Sequence, residues 1–232
     1  MSISENIAAI RREIHLAAAK TGRTGADITL VGASKMNDAA ACREAIAAGI
    51  DVLGENRVQE MTQKLAENAY DGVPLHFIGH LQRNKVSQVI GNAVMIHSVD
   101  SLRLARFMDT VAQETGKRPR ILLEVNVGNE DSKFGFFPET LEKEWPELSS
   151  LNHLEIAGLM CIPPPVENPE EARPYFRRLR ELKGVLSGSG GATLTELSMG
   201  MSHDFETAIE EGATLVRVGT AIFGGRSYAP AS

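Results

Sequence analysis

Cysteine is scarce. Cys42 and Cys161 are the two in the chain; they fall on different kinds of element, and neither has a histidine or second cysteine at metal-ligand spacing. A disulfide framework and a thiolate metal centre are therefore excluded as organising features, and both thiols read as small buried hydrophobes. Long apolar runs are missing too: none reaches membrane-spanning length, and residues 1–10 contain Glu5 and lack the basic start and long apolar core of a signal peptide. A soluble cytoplasmic protein is expected. Positive charge is in deficit, 24 basic against 30 acidic side chains for a net charge of -6, so neither nucleic acid nor an anionic membrane is expected as a partner. A small anion in a local pocket remains compatible. There is no Walker-type loop and no GxGxxG fingerprint, and no proline interrupts a candidate strand.

At 232 residues the chain suits one α/β barrel or one doubly wound sheet, so a single domain over residues 1–232 is expected. Residues 28–36 organise it: an apolar, β-rich run that closes on Lys35. In a strand Val31, Ala33 and Lys35 share one face and Leu30, Gly32 and Ser34 the other. A lysine at the end of a central strand is desolvated, which makes its amine a nucleophile toward an aldehyde; the alternative is a lysine that snorkels to water. Before this run comes a helix capped by Ser4, with Ile7, Ile10, Ile14 and Ala17 on one face and Gly22 as its stop. After it, strand and helix signals alternate. Strands over 51–54, 75–78, 93–99, 120–127, 154–161, 195–199 and 214–218 are spaced by helices over 38–48, 57–69, 82–90, 102–114, from about 138, 169–186 and 203–211. That is about eight βα units, close to the content of a closed parallel barrel. Residues 187–192, reading SGSGGA, are expected to be a surface loop.

In such a barrel ligands bind at the carboxyl ends of the strands. The residues there are Gly54-Glu-Asn56-Arg57, Gly79-His80-Leu-Gln82 and His97-Ser-Val-Asp100. In the fifth strand Leu122, Glu124 and Asn126 face the mouth, and in the eighth Leu215, Arg217 and Gly219 do, so Arg217 points where Lys35 points. Glu124 is expected to balance Arg217, because an unpaired buried charge is costly. Ser198-Met-Gly200-Met-Ser202 and Gly219-Thr220 each stand between a strand and a helix. Their unpaired amides, glycines and hydroxyls would together hold a phosphate, although singly Ser202 reads as a helix cap and Gly219 as a tight turn. His76 and His80 straddle a strand end and so lack helical metal-ligand geometry; a structural or supporting role is expected. His15, His153 and His203 are expected at the surface. Arg177, Arg178, Arg180 and Lys183 are expected on a solvated helix face.

Nearly the whole chain resembles the YggS/PROSC-type pyridoxal phosphate homeostasis proteins, single-domain relatives of the barrel half of alanine racemase. The matching stretches are Val31-Gly-Ala-Ser-Lys35, Gly54-Glu-Asn-Arg-Val-Gln-Glu60, His76-Phe-Ile-Gly-His-Leu-Gln82, Ile96-His-Ser-Val-Asp100 and Gly158-Leu-Met160. The most specific are Leu197-Ser-Met-Gly-Met-Ser202 with Asp204-Phe205, and Val216-Arg-Val-Gly-Thr-Ala-Ile-Phe-Gly224. The resemblance implies an alanine racemase N-terminal-type (β/α)8 barrel with an extra N-terminal helix. It implies that Lys35 forms an aldimine with pyridoxal 5'-phosphate, that Ser198, Gly200, Ser202, Gly219 and Thr220 surround the phosphate, that Arg217 faces the pyridine nitrogen, and that Asn56 and Met160 lie near the ring. An arginine at that nitrogen leaves the ring a weak electron sink. Racemases of this type also take a tyrosine from a second, β-rich domain, and none of Tyr70, Tyr175 and Tyr228 is placed as that base. The resemblance therefore implies a monomeric carrier of the cofactor, without catalytic or metal residues, that hands it to apo-enzymes. The alternatives are an amino-acid racemase, another narrow pyridoxal-phosphate enzyme, or a Schiff-base aldolase using Lys35 directly on a sugar phosphate.

Overall fold

The computed structural model describes residues 2–130, 132–189 and 193–224. The chain begins with a capping box: the Ser2 amide donates to Glu5 Oε2 at 2.8 Å and the Glu5 amide donates to Ser2 Oγ at 3.2 Å. Ser2, not the expected Ser4, is therefore the cap of α1 (Ile3–Ala19). The reason is spacing, since a capping box needs the glutamate three residues on, and three residues beyond Ser4 stands Ile7. Helix α1 buries Ile7, Ile10, Ile14 and Ala17 as expected.

The units then follow in order. They are β1 (Thr29–Ala33), α2 (Ala39–Ala47), β2 (Val52–Glu55), α3 (Val58–Ala66), β3 (Leu75–Phe77), α4 (Val86–Ile90), β4 (Met95–Val99), α5 (Leu102–Thr115), β5 (Arg120–Glu124), α6 (Pro138–Leu148), β6 (Glu155–Met160), α7 (Arg173–Gly188), β7 (Glu196–Ser198), α8 (Phe205–Glu210), β8 (Leu215–Val218) and α9 (Thr220–Phe223). Each strand pairs in parallel with the next, and β8 closes on β1 with Val31 opposite Arg217. The doubly wound alternative is thereby excluded. No helix among the described residues is long and apolar enough to cross a membrane.

Several boundaries differ from the sequence pattern, each for a local reason. Strand β5 stops at Glu124 instead of running to 127, because the Asn126 amide donates to Phe136 O of the following loop at 2.9 Å and leaves the ladder. Helix α8 starts at Phe205 instead of His203, because Asp204 Oδ1 accepts the Met201 amide at 2.7 Å and holds residues 201–204 in a turn. In the SGSGGA stretch Ser187 and Gly188 are still helical, in α7, and Ser189 is a turn; Gly190, Gly191 and Ala192 lie outside the described residues.

The core has two layers. Leu30, Leu53, Phe77, Ile96, Leu123, Leu159 and Val216 pack outward against the helices. Val31, Val52, Ile78, Met95, Leu122, Ala157, Met160 and Leu215 fill the barrel. The α7 basic residues form a solvated face as expected, Arg177 and Arg180 being exposed, but they also pair with neighbours. Arg173, Arg177 and Arg180 converge on the buried Glu211 at 3.3, 3.0 and 3.0 Å, Arg178 pairs with Glu139 at 3.0 Å, and Lys183 reaches Thr195 O at 3.3 Å. A carboxylate that the packing of α8 withdraws from water needs such partners, and α7 supplies them.

Strands β6 and β7 approach so closely at Gly158 that a Cβ there would lie 2.0 Å from Glu196 O. Backbone cannot yield to it, so Gly158→Ala should cost about 3 kcal/mol or more. Chemical denaturation checks this, and a variant of unchanged midpoint would show that the strands can part without penalty.

Candidate functional site at the barrel mouth

Strand β1 ends at Ala33, and the chain turns at once, with the Asn37 amide donating to Ser34 O at 3.0 Å. Lys35 sits in this turn, exposed, and its amine has no hydrogen-bond or ion-pair partner among the described residues. The expected desolvation of the amine by burial is not observed, because the turn lifts the side chain out of the ladder. It lines a cavity of about 390 Å³ together with Arg217, Ser202, Gly219 and Thr220, and with Met36, Met201, His203 and Phe223.

Arg217 is handled in the opposite way. It is 4% exposed, and its guanidinium donates to Ser198 Oγ at 2.5 Å and to Cys161 O at 2.9 Å. Ser198 Oγ lies 2.9 Å from His97 Nδ1, and His97 Nε2 lies 2.9 Å from His76 Nδ1. A polar chain thus crosses the barrel from β8 through β7 and β4 to β3. Burial pushes His76 down to about 4 and His97 well below the usual imidazole range, so both rings are neutral near pH 7. Burial also lowers Arg217 from its ordinary value, opposed by Cys161, Glu124 and Asp204, but an arginine keeps its charge. The Cys161 thiol, pushed up to about 12 by burial, is unreactive.

The expected Glu124–Arg217 ion pair does not form, since the guanidinium donors are directed at Ser198 and Cys161. Glu124 is 8% exposed, and burial and the nearby Asp100 push its carboxyl up to about 7 against the opposing pull of Arg217. His80 stands at the rim, its Nδ1 3.3 Å from Asp100 Oδ2 and its ring stacked on Phe134 at 3.8 Å.

Ser202 Oγ accepts the amides of Gly219 and Ala221 at 3.2 and 3.3 Å, which draws the loop after β7 against the start of α9. Gly200 makes the loop possible: its φ is +90°, a Cβ there would meet Ala208 Cβ at 2.6 Å, and its carbonyl accepts the Arg217 amide at 3.0 Å. The structure therefore brings Lys35, Ser202, Arg217, Gly219 and Thr220 together at one cavity. Ser198 and Met160 are buried and Gly200 turns the chain, so these three stand behind the lining. Asn56 follows β2, and its Oδ1 is buried without a partner. Among the described residues there is no group of histidines, cysteines and carboxylates that could hold a metal ion. The sequence reading placed His97 at a strand end but gave it no role, and it assigned none to His203, Met36, Met201 or Phe223 at the cavity.

The family model "Alanine racemase, N-terminal domain" matches residues 5–227, which span this closed parallel barrel. A pyridoxal phosphate homeostasis protein of Aquifex aeolicus is 44% identical over 98% of this chain and 100% of its own. The chain belongs to this family, the pyridoxal phosphate homeostasis proteins of the alanine racemase N-terminal class. Among solved structures, PipY of Synechococcus elongatus PCC7942 without PLP is 39% identical with a TM-score of 0.86, covering 96% of this chain and 100% of its own. The same protein with PLP bound is 38% identical with a TM-score of 0.84 over the same shares.

Glu124 sets a pH dependence. Its folded value of about 7 lies above the ordinary 4.5, so the folded chain binds the extra proton, and stability is fully present below 4.5 and falls as pH rises through 7. The penalty at pH 8 is about 3 kcal/mol. Glu124→Gln should therefore be more stable than wild type at pH 8 and no more stable at pH 4 in urea unfolding. Parallel pH curves for the two proteins would place the titrating group elsewhere.

Proposed function

We propose that this protein binds pyridoxal 5'-phosphate at the barrel mouth, with Lys35 as the amine that carries it covalently, and handles the cofactor instead of turning over a substrate. The observation that supports this most directly is the pairing of an exposed, unpartnered Lys35 with a buried Arg217 across one cavity. The residues present fit the group. The buried Asn56 Oδ1 lacks a partner, and Ser202 and Thr220 line the Lys35 cavity with hydroxyls of the kind that hold a phosphate, beside Gly219.

When bound, pyridoxal phosphate supplies an aldehyde for the lysine and a ring whose electron demand depends on protonation of its nitrogen. Arg217 is the residue assigned to that nitrogen. Held by Ser198 and the Cys161 carbonyl, it cannot give up its charge and so opposes a proton there, which disfavours carbanion chemistry. Met160 and Ser198, buried behind the cavity lining, would back the site on the side assigned to the ring, and Gly200 would shape the loop assigned to the phosphate. Tyr70 is unsuited to be a second base, since it is buried and donates to Glu55 at 3.0 Å. Burial raises its phenol further. Tyr175 lies on α7, away from the cavity lining, and Tyr228 lies outside the described residues. Apo-enzymes that need the cofactor are the proposed recipients, and the protein is proposed to act in the cytoplasm as a single-domain monomer.

Absorption spectra of wild type and Lys35→Ala with added pyridoxal phosphate, before and after borohydride, test this reading. A violet-edge band that borohydride removes is expected in wild type and not in the variant, and a panel of amino acids should be recovered unchanged. Turnover of any amino acid would favour the racemase reading, and a colourless protein that reacts with sugar phosphates would favour the aldolase.

A further inference from the structure

The turn that carries Lys35 is gripped from the side of α3 by groups that do not line the cavity. Lys64 Nζ donates to Ser34 O at 2.8 Å and to Glu55 Oε1 at 2.6 Å. The same Glu55 oxygen accepts from Ser34 Oγ at 2.7 Å and from Tyr70 OH at 3.0 Å. Glu55 is fully buried and Lys64 is 6% exposed. A buried ion pair is often no more stable than apolar side chains of the same volume, so stability alone does not account for it. On the other flank, Met36 has a φ of +62°, a left-handed conformation rare outside glycine, and its amide donates to Glu60 Oε2 at 2.9 Å. Asn37 Nδ2 donates to Lys35 O at 3.1 Å.

These contacts have a common geometry. Ser34 O belongs to the peptide group before the Lys35 Cα, and the Met36 amide belongs to the peptide group after it. Both are held by α3, from Lys64 and Glu60, which stand four residues apart on one helix face. The two backbone torsions of Lys35 are thus fixed from outside the cavity, while its amine has no partner among the described residues.

We propose that α3 is the positioning element for the covalent lysine, with Glu60, Lys64 and Glu55 as positioning residues that aim the Lys35 side chain. The assignment rests on the proposed role of Lys35. Condensation of its amine with an aldehyde forms one C=N bond, releases one water and sends the ammonium proton to solvent, and its rate depends on how closely the bound aldehyde and the amine are aligned. A backbone held in a sparsely populated conformation persists only where its surroundings enforce it, and at Met36 the Glu60 carboxylate does so together with the Asn37-to-Ser34 hydrogen bond that closes the turn.

The test uses the full chain as Glu60→Ala, Glu60→Gln, the charge-neutral double variant Glu55→Gln/Lys64→Met, and Lys35→Ala. The readouts are the exchange rate of the Met36 amide by NMR without ligand, and the rate of adduct formation with pyridoxal phosphate by absorbance. Glu60→Ala should speed Met36 exchange and slow adduct formation about tenfold, with its melting temperature close to that of wild type. Glu60→Gln, whose carbonyl oxygen can still accept the amide, should restore both. The double variant should slow adduct formation similarly; if it does not fold, the two Glu60 variants still decide. Adduct formation at the wild-type rate in Glu60→Ala, with Met36 exchange accelerated, would overturn the assignment while leaving the cofactor reading intact. Failure of wild type to form any Lys35-dependent adduct would overturn both.

Discussion

A guanidinium withdrawn from water inside a barrel is the constraint on which the mouth of this structure depends. Arg217 is 4% exposed, and its donors must find acceptors where most of the neighbouring interior is apolar. Ser198 on β7 and the carbonyl of Cys161 after β6 supply them. Ser198 then engages His97, and His97 engages His76, so one buried charge recruits side chains from β7, β4 and β3. The backbone of Arg217 is committed as well. Its amide donates to Gly200 O, which bends the loop after β7 through a glycine-only conformation and brings Ser202 against Gly219. The charge and the loops that line the cavity are parts of one arrangement.

The two cations of the site are treated in opposite ways, and the difference is chemical. An arginine keeps its charge when buried and can be fixed by its own fork of donors. Lys35 is instead held through its peptide groups. The neighbours of Lys35 are clamped by a buried ion pair on one side and a helix carboxylate on the other, while the amine itself stays exposed. Glu124 belongs to neither arrangement: it lies near Arg217 without pairing to it, and burial leaves it close to neutrality.

Most of the architecture was legible in the sequence. Alternation of short β-branched runs with amphipathic stretches is a local signal, and it located all the strands that the barrel contains. The inward face of β1 and the coincidence of Lys35 with Arg217 also followed from alternation, since residue parity decides which side of a strand a side chain occupies. The errors cluster where a contact from elsewhere overrides the local pattern. Asn126 leaves its ladder for Phe136, and Asp204 turns the chain before α8 can start. The start of α1 is a different case, because the Ser2 and Glu5 spacing was present in the sequence and was passed over in favour of Ser4.

The sequence by itself determined the barrel, the lysine that follows its first strand, the arginine on its last, and the two loops after the seventh and eighth strands, because each rests on periodicity or on residue types within a few positions of one another. Only the tertiary structure decided which of those groups are buried, which carry partners and which are left free. Ser198 proved to be a support for Arg217, Lys35 proved exposed, and the grip of α3 on its turn joins residues 34, 36, 55, 60 and 64. The physical reason is that burial and hydrogen-bond geometry depend on neighbours supplied by distant parts of the chain, and no local pattern encodes which neighbour will arrive.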